Sequence, residues 1–193
     1  MKIKVLLIAA TALLLPLTQL FADSEKKSAD ANSMPMDHMG APKEIKDMAS
    51  MIGKWKAHTK YKMSFTDTAW TESDGEMTYE YILDSCAILI HFKSEFMGMT
   101  YKGMGVITYS RDLQKYQQYW LDNMRAAPSL YEGTKDPATN FIVYTGTDVE
   151  MGQTIYTKTT VHTKDKNNCV LEFDQSLDGK SFMRTMEISQ TKM

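Results

Sequence analysis

Residues from which metal centres and nucleophilic sites are built are scarce in this chain, with four histidines and two cysteines in 193 positions. No glycine-rich phosphate loop, nucleophile elbow or zinc-ligand spacing occurs, so the common signatures of nucleotide binding, serine hydrolysis and zinc chemistry are absent. Charge of neither sign dominates, at 22 basic against 24 acidic side chains, and a nucleic-acid partner, which requires a basic face, is not expected. Long apolar runs are missing too, with one exception at the N-terminus. There Lys2 and Lys4 precede an apolar stretch from Val5 to Leu15, then Pro16 and a weaker stretch ending Leu20, Phe21 and Ala22. This order reads as a secretory signal peptide over residues 1–22, cleaved after Ala22. A membrane-spanning helix needs roughly 20 apolar residues, so no stable membrane insertion is expected after cleavage. The protein is expected to be exported, periplasmic or secreted, and losing Lys2 and Lys4 takes its formal charge from −2 to −4.

Polar and small residues fill positions 23–41 without pattern and read as a disordered linker. Within it Met34, Met36, His38 and Met39 bring three thioethers and an imidazole together. Such soft ligands suit monovalent copper, at most as a weak site. The alternative is that a chain with 16 methionines scatters them. From Pro42 to Ile52 the apolar residues Ile45, Met48, Ala49 and Ile52 fall at helical spacing, between an initiating proline and Gly53. That spacing predicts a short amphipathic helix whose stripe closes one end of the domain.

Residues 42–193 read as one domain built from strands. Trp55, Ala57, Thr59, Tyr61, Met63 and Phe65 alternate with Lys54, Lys56, His58, Lys60, Lys62 and Ser64, apolar in and basic out. Met77, Tyr79, Tyr81 and Leu83 alternate with Glu76, Thr78, Glu80 and Ile82, which would set glutamates beside lysines across an antiparallel pair. The stretch from Met97 to Asp122 is a hairpin signal around Ser110 to Gln114. Along its first arm Tyr101, Gly103, Gly105, Ile107 and Tyr109 share the inner face, because Lys102 on the other is hard to bury. Paired glycines there fit a strand that bends. Further strands are expected at 87–96, 99–109, 115–122, 127–134, 140–148, 155–164, 169–177 and 181–191. Turn signals such as Ser73-Asp74-Gly75 and Asp178-Gly179-Lys180 separate them. Ten alternating strands and one helix argue an all-β fold, an antiparallel up-and-down barrel, with a β-sandwich as the alternative.

Cys86 and Cys169 sit at strand edges at the same end of such a meander, where either a disulfide or two separate thiols is possible. By parity His58, His91 and His162 all face outward. An inward axial histidine, which a haem barrel of the nitrobindin type needs, is therefore not expected. No cofactor is implied and no catalytic residue stands out. Arg184 shares a predicted inner face with Phe182, Met186 and Ile188, and a guanidinium among apolar residues must find an anion or acceptors. It is either the anchor for the acidic head of an apolar ligand, with Tyr61, Tyr79, Tyr81, Tyr101 and Trp120 around it, or an internally paired arginine, for example with Asp122, or one that reaches solvent at the rim.

Gly53-Lys54-Trp55 after a short helix resembles the G-x-W opening of lipocalin-like (calycin) barrels. A longer series runs through Met97-Gly98-Met99, Tyr101-Lys102-Gly103-Met104-Gly105, Tyr109, Lys115-Tyr116 and Trp120 to Met124. It continues with Gly133, Asp136, Gly146, Gly179-Lys180 and Met186-Glu187-Ile188. This series resembles the bacterial family known as domain of unknown function 1579, over Pro42 to Met193. The chain departs from it at Thr108 and Ser110 and at Asp84-Ser85-Cys86, where Gly-Gly-Arg is usual. The resemblance implies a lipocalin-like barrel without an established activity. Three functions then compete: binding of a small apolar or amphiphilic ligand in the barrel, a filled barrel that docks an envelope protein, and copper handling by the methionine-rich tail.

Overall fold

In the strand Gly53–Tyr61 (β1) the residues out of water are Trp55, Ala57, Thr59 and Tyr61, every second position, while the lysines between them face solvent. The same period-two rule is carried through nine more strands: β2 (Thr71–Ile82), β3 (Ala87–Phe96), β4 (Met99–Ser110), β5 (Lys115–Asp122), β6 (Ser129–Lys135), β7 (Ile142–Glu150), β8 (Gln153–Thr163), β9 (Asn168–Ser176) and β10 (Met183–Lys192). Each pairs antiparallel with its sequence neighbours, and β1 pairs with β10, so the sheet closes into a ten-stranded barrel with no free edge. This computed structural model describes residues 39–125 and 127–193. The expected signal peptide and most of the linker, with Met34, Met36 and His38, lie outside the described residues; Met39 is exposed.

The lysine–glutamate expectation holds in the register, where Lys56 stands opposite Glu76 and Lys60 opposite Glu72. Ser73-Asp74-Gly75 does not turn. It lies inside β2, paired with β1 on one side and leading into β3 pairing on the other. Glycine is kept there by crowding, since a Cβ on Gly75 would meet the Ser94 side chain at 2.8 Å and Phe92 at 3.1 Å. Ladder hydrogen bonds on both edges outweigh local turn preference.

The predicted helix is shorter than expected. An α-helix covers only Lys43–Lys46 (α1), and a separate 3-10 turn follows at Ala49–Met51. The buried residues are Ile45, Met48 and Met51, spaced by three, and Ala49 is exposed. The break lets Met51 turn down onto Trp55, whose indole Nε1 donates to the Met51 carbonyl at 2.7 Å. Trp55 and Ile45 are wholly buried and close this end of the barrel.

Cys86 and Cys169 are both free thiols. They share an end of the barrel, but β2, β1 and β10 stand between β3, which Cys86 precedes, and β9, which carries Cys169. With strands about 4.8 Å apart, that separation exceeds the roughly 7 Å Cα limit for a bridge.

Candidate ligand-binding cavity

The barrel encloses a cavity of about 960 Å³. Met48 and Met51 line its floor, Ile90, Phe92, Ile107, Leu171, Phe173 and Ile188 its walls, and the β5–β6 and β7–β8 connections its mouth. Three glycine–aromatic pairs keep it open. Trp120 stands directly opposite Gly105, Tyr144 opposite Gly133 and Tyr131 opposite Gly146. A Cβ on Gly105 would meet Trp120 Cε3 at 2.7 Å, and one on Gly133 would meet Tyr144 Cδ1 at 2.6 Å. Each ring therefore lies flat on a glycine of the next strand instead of filling the lumen. The paired glycines of β4 are explained by this contact with Trp120, which also covers Gly103.

A polar chain runs from the wall to the mouth. Trp120 Nε1 donates to Tyr101 Oη at 3.1 Å, and Tyr101 donates to Asp122 Oδ2 at 3.2 Å. Asp122 Oδ1 accepts the backbone N–H groups of Met124 and Arg125, both at 2.9 Å, which turns the chain out of β5. The Arg125 guanidinium then reaches across to the strands beyond. Its Nη2 donates to Ser129 Oγ at 2.7 Å, and its Nη1 lies 3.3 Å from Asp148 and 3.2 Å from Glu150. Asp148 also accepts the hydroxyls of Ser129 and Tyr131. Burial works against the Arg125 charge, and Asp148, Tyr131 and Asp122 more than restore it, so its pKa is raised. Burial, then the hydrogen bond to Asp148, pushes the Tyr131 hydroxyl up to about 12.

Of the residues expected to bind, Tyr79, Tyr101 and Trp120 line the cavity. Tyr79 has its hydroxyl taken by Gln190 at 3.1 Å and by Met77. Tyr61 is buried against Phe96, ring centroids 4.3 Å apart, and is not among the lining residues. Tyr81 donates to the Lys46 carbonyl at 3.2 Å, holding α1 on the barrel.

Arg184 is a correction. Thr185 is an extra residue in β10, a bulge between the Arg184–Asp174 and Met186–Phe173 pairs. The bulge breaks the alternation, so Met186 and Ile188 line the cavity and Arg184 faces out. There it donates to Asp174 and Glu172, each at 2.7 Å, beside His162, which pairs with Glu172 at 2.9 Å. Its partner is therefore not Asp122, which lies 3.9 Å from Arg125 Nε instead. His58, at 2.8 Å from Asp74, and His91 are also on the outside, and no histidine among the described residues lines the cavity.

Sequence reasoning missed Arg125, Tyr131, Asp148 and the hydroxyl of Tyr144. Parity along β7, which sets Ile142, Tyr144, Gly146 and Asp148 on one face, carries a signal for the last two. No periodic signal marks Arg125, because it lies in a connection.

No curated protein matches the chain. Among solved structures it resembles the crystal structure of Rv2717c from M. tuberculosis, with TM-score 0.59 at 8% identity over 80% of this chain and 99% of that one. It also resembles the S-type phycobiliprotein lyase CPES from Guillardia theta, with TM-score 0.50 at 9% identity over 77% and 91% of the two chains. At such identities the likeness is one of fold. The model of the family described as Protein of unknown function (DUF1579) matches residues 41–192, the barrel together with α1, and the chain belongs to that family.

Proposed function

We propose that this is an exported, non-enzymatic binding protein that holds one small apolar or amphiphilic molecule inside the barrel. The observation that carries the reading is the cavity: about 960 Å³, floored at one end and reached from the other. Small-molecule sites commonly span about 300–1,000 Å³ and are mostly apolar with a few placed polar groups. The walls and the Tyr101–Asp122–Arg125 chain fit that description.

Native mass spectrometry of the protein purified from its own host without detergent tests the reading. The expected spectrum carries a single small organic adduct that is shed on collision. An adduct-free protein that also fails to bind the apolar fluorophore N-phenyl-1-naphthylamine would overturn it. The same intact mass tests export, because a chain cleaved after Ala22 begins at Asp23.

A further inference from the structure

Two of the five connections at the open end are two-residue hairpin turns, Met97-Gly98 between β3 and β4 and Met151-Gly152 between β7 and β8. Both residues of each turn are left-handed, with φ of 55° and 73° in the first and 48° and 80° in the second. Such turns favour asparagine or aspartate ahead of the glycine, because those side chains tolerate that backbone. Methionine tolerates it poorly, and here it also stands in water, 54% exposed at Met97 and fully exposed at Met151. Neither turn geometry nor core packing accounts for the choice. It is made twice, with β5 and β6 between the two turns on one side and β1, β2, β9 and β10 on the other. At the closed end the left-handed positions go to Asp84, Ser85, Gln114 and Asn140, with Leu83 as the one apolar case.

The other three connections add Trp70, Met124 and Leu177 to the exposed tips. Met124 and Met151 also line the cavity, so apolar surface continues from the tips into the lumen. Lys62 Nζ lies 5.2 Å from the Trp70 ring centroid, and Lys158 Nζ 5.7 Å from that of Phe182. An aromatic ring backed by an ammonium has one apolar and one wet side, as side chains at a membrane–water boundary do. Charge is close to balanced there, since the five connections carry Lys62, Arg125 and Lys180 against Asp67 and Asp178. Of the acids at this end, Glu150 is held by Arg125 at 3.2 Å, and Asp178 accepts the backbone N–H groups of Lys180 and Ser181. A strongly charged partner of either sign does not match such a face, whereas neutral headgroups of mixed charge do. Separate tips around an opening also give a folded partner no continuous surface to pack on, while lipid closes around each tip.

We infer that the open end docks on a zwitterionic phospholipid bilayer, with Met97 and Met151 reaching past the headgroups and the mouth facing the acyl chains. Resting on the binding function proposed above, the docked barrel exchanges its apolar molecule with the membrane without passing it through water.

Co-flotation with phosphatidylcholine vesicles, in about 0.5 M NaCl to screen charge, tests this on protein purified from its own host. Wild type is expected to float with the vesicles and to shift the emission of Trp70, the most exposed tryptophan, to the blue. Met97→Asn and Met151→Asn, each better suited to its turn, are expected to weaken binding about fivefold apiece, as lost burial of part of one methionine would. Neither should lower the melting temperature. Leu83→Asn, the same kind of exchange at the closed end, is expected to leave binding unchanged. All these proteins keep one N-terminus, so a leader that bound lipid by itself would bind equally in all of them. Wild type that never floats, equal binding by the variant with both methionines replaced, or an equal loss in Leu83→Asn would overturn the docking. Binding confined to phosphatidylglycerol at low salt, or a solution dimer that the doubly replaced variant converts to monomer, would overturn it too. Uptake of N-phenyl-1-naphthylamine from vesicle-free solution separates the two readings. Protein that takes up the fluorophore but never floats overturns the docking alone, and protein that floats but takes up none overturns the binding function alone.

Discussion

At the end capped by α1, Ile45, Met51 and Trp55 are out of water, whereas every connection at the opposite end carries a large apolar side chain in solvent. Those are Met63 and Trp70, Met97, Met124, Met151, and Leu177 and Phe182, joined by Val149 at the end of β7. Among the described connections of the capped end and the C-terminus, Leu83, Leu113 and Met193 are exposed in this way. The difference separates two jobs. One end is packed as a core and holds the barrel shut. The other keeps apolar surface that folding alone does not require, around the mouth of an apolar cavity. Under the binding function proposed here, that mouth is the route by which the ligand enters.

The sharpest break of this contrast is Trp55→Ala, which removes the plug of the closed end. It is expected to cost about 3–5 kcal/mol in urea unfolding, and a loss under 1 kcal/mol would mean the plug is not what holds that end.

Alkaline pH ranks next and acts on both halves of the barrel. Burial raises Tyr131, at the mouth, and Tyr116, toward the closed end, from 10 to about 12 each. A pKa raised on folding means that the native state keeps its proton longer. The associated stability is complete below pH 10 and is lost as pH climbs toward 12. Thermal melts from pH 9 to 12, followed with tyrosinate absorbance, should fall steeply in that window, and Tyr131→Phe should flatten the fall. A flat wild-type profile would contradict the burial of both rings.

Gly105→Ala is expected to cost about 1–3 kcal/mol, because its methyl would stand 2.7 Å from Trp120 and 3.0 Å from the Tyr119 carbonyl. Weaker fluorophore binding should accompany it as Trp120 tips into the lumen. A neutral result would mean that the ring does not lie where the wall needs it.

The β2–β3 turn at the closed end offers a smaller gain. Leu83, Asp84 and Ser85 all have positive φ, at 51°, 53° and 67°, where glycine is unstrained. Asp84→Gly and Ser85→Gly, which relieve the left-handed backbone there, should each stabilise by about 0.5–1 kcal/mol. Least of all, Val149→Ser at the mouth should change stability by less than about 0.5 kcal/mol. A large loss there would show that the mouth is structural after all.

Much of the barrel was legible residue by residue. Alternation along β1, β4 and β8 places rings and aliphatics inside and lysines and histidines outside, because one face of each strand must leave water. What misled was local chemistry overruled at a distance. Ser73-Asp74-Gly75 has turn composition, yet two flanking strands hold it extended. The Phe182–Ile188 alternation looks unbroken, yet the bulge at Thr185 turns Arg184 out to Asp174. Of the site, Tyr101 and Trp120 were visible from parity. Arg125 with Asp148 was not, since 23 positions separate them and no periodicity links a connection to a strand.

The chain alone therefore determined a closed antiparallel barrel, its strand count and most of its inward faces, because period-two patterning is a local record of which side meets water. Only the tertiary structure decided that the barrel is hollow and that its mouth carries one arginine among three acids. Those features depend on which residues face each other across strands far apart in sequence. A ring lying on a glycine, or a bulge one residue long, leaves no periodic trace along the chain.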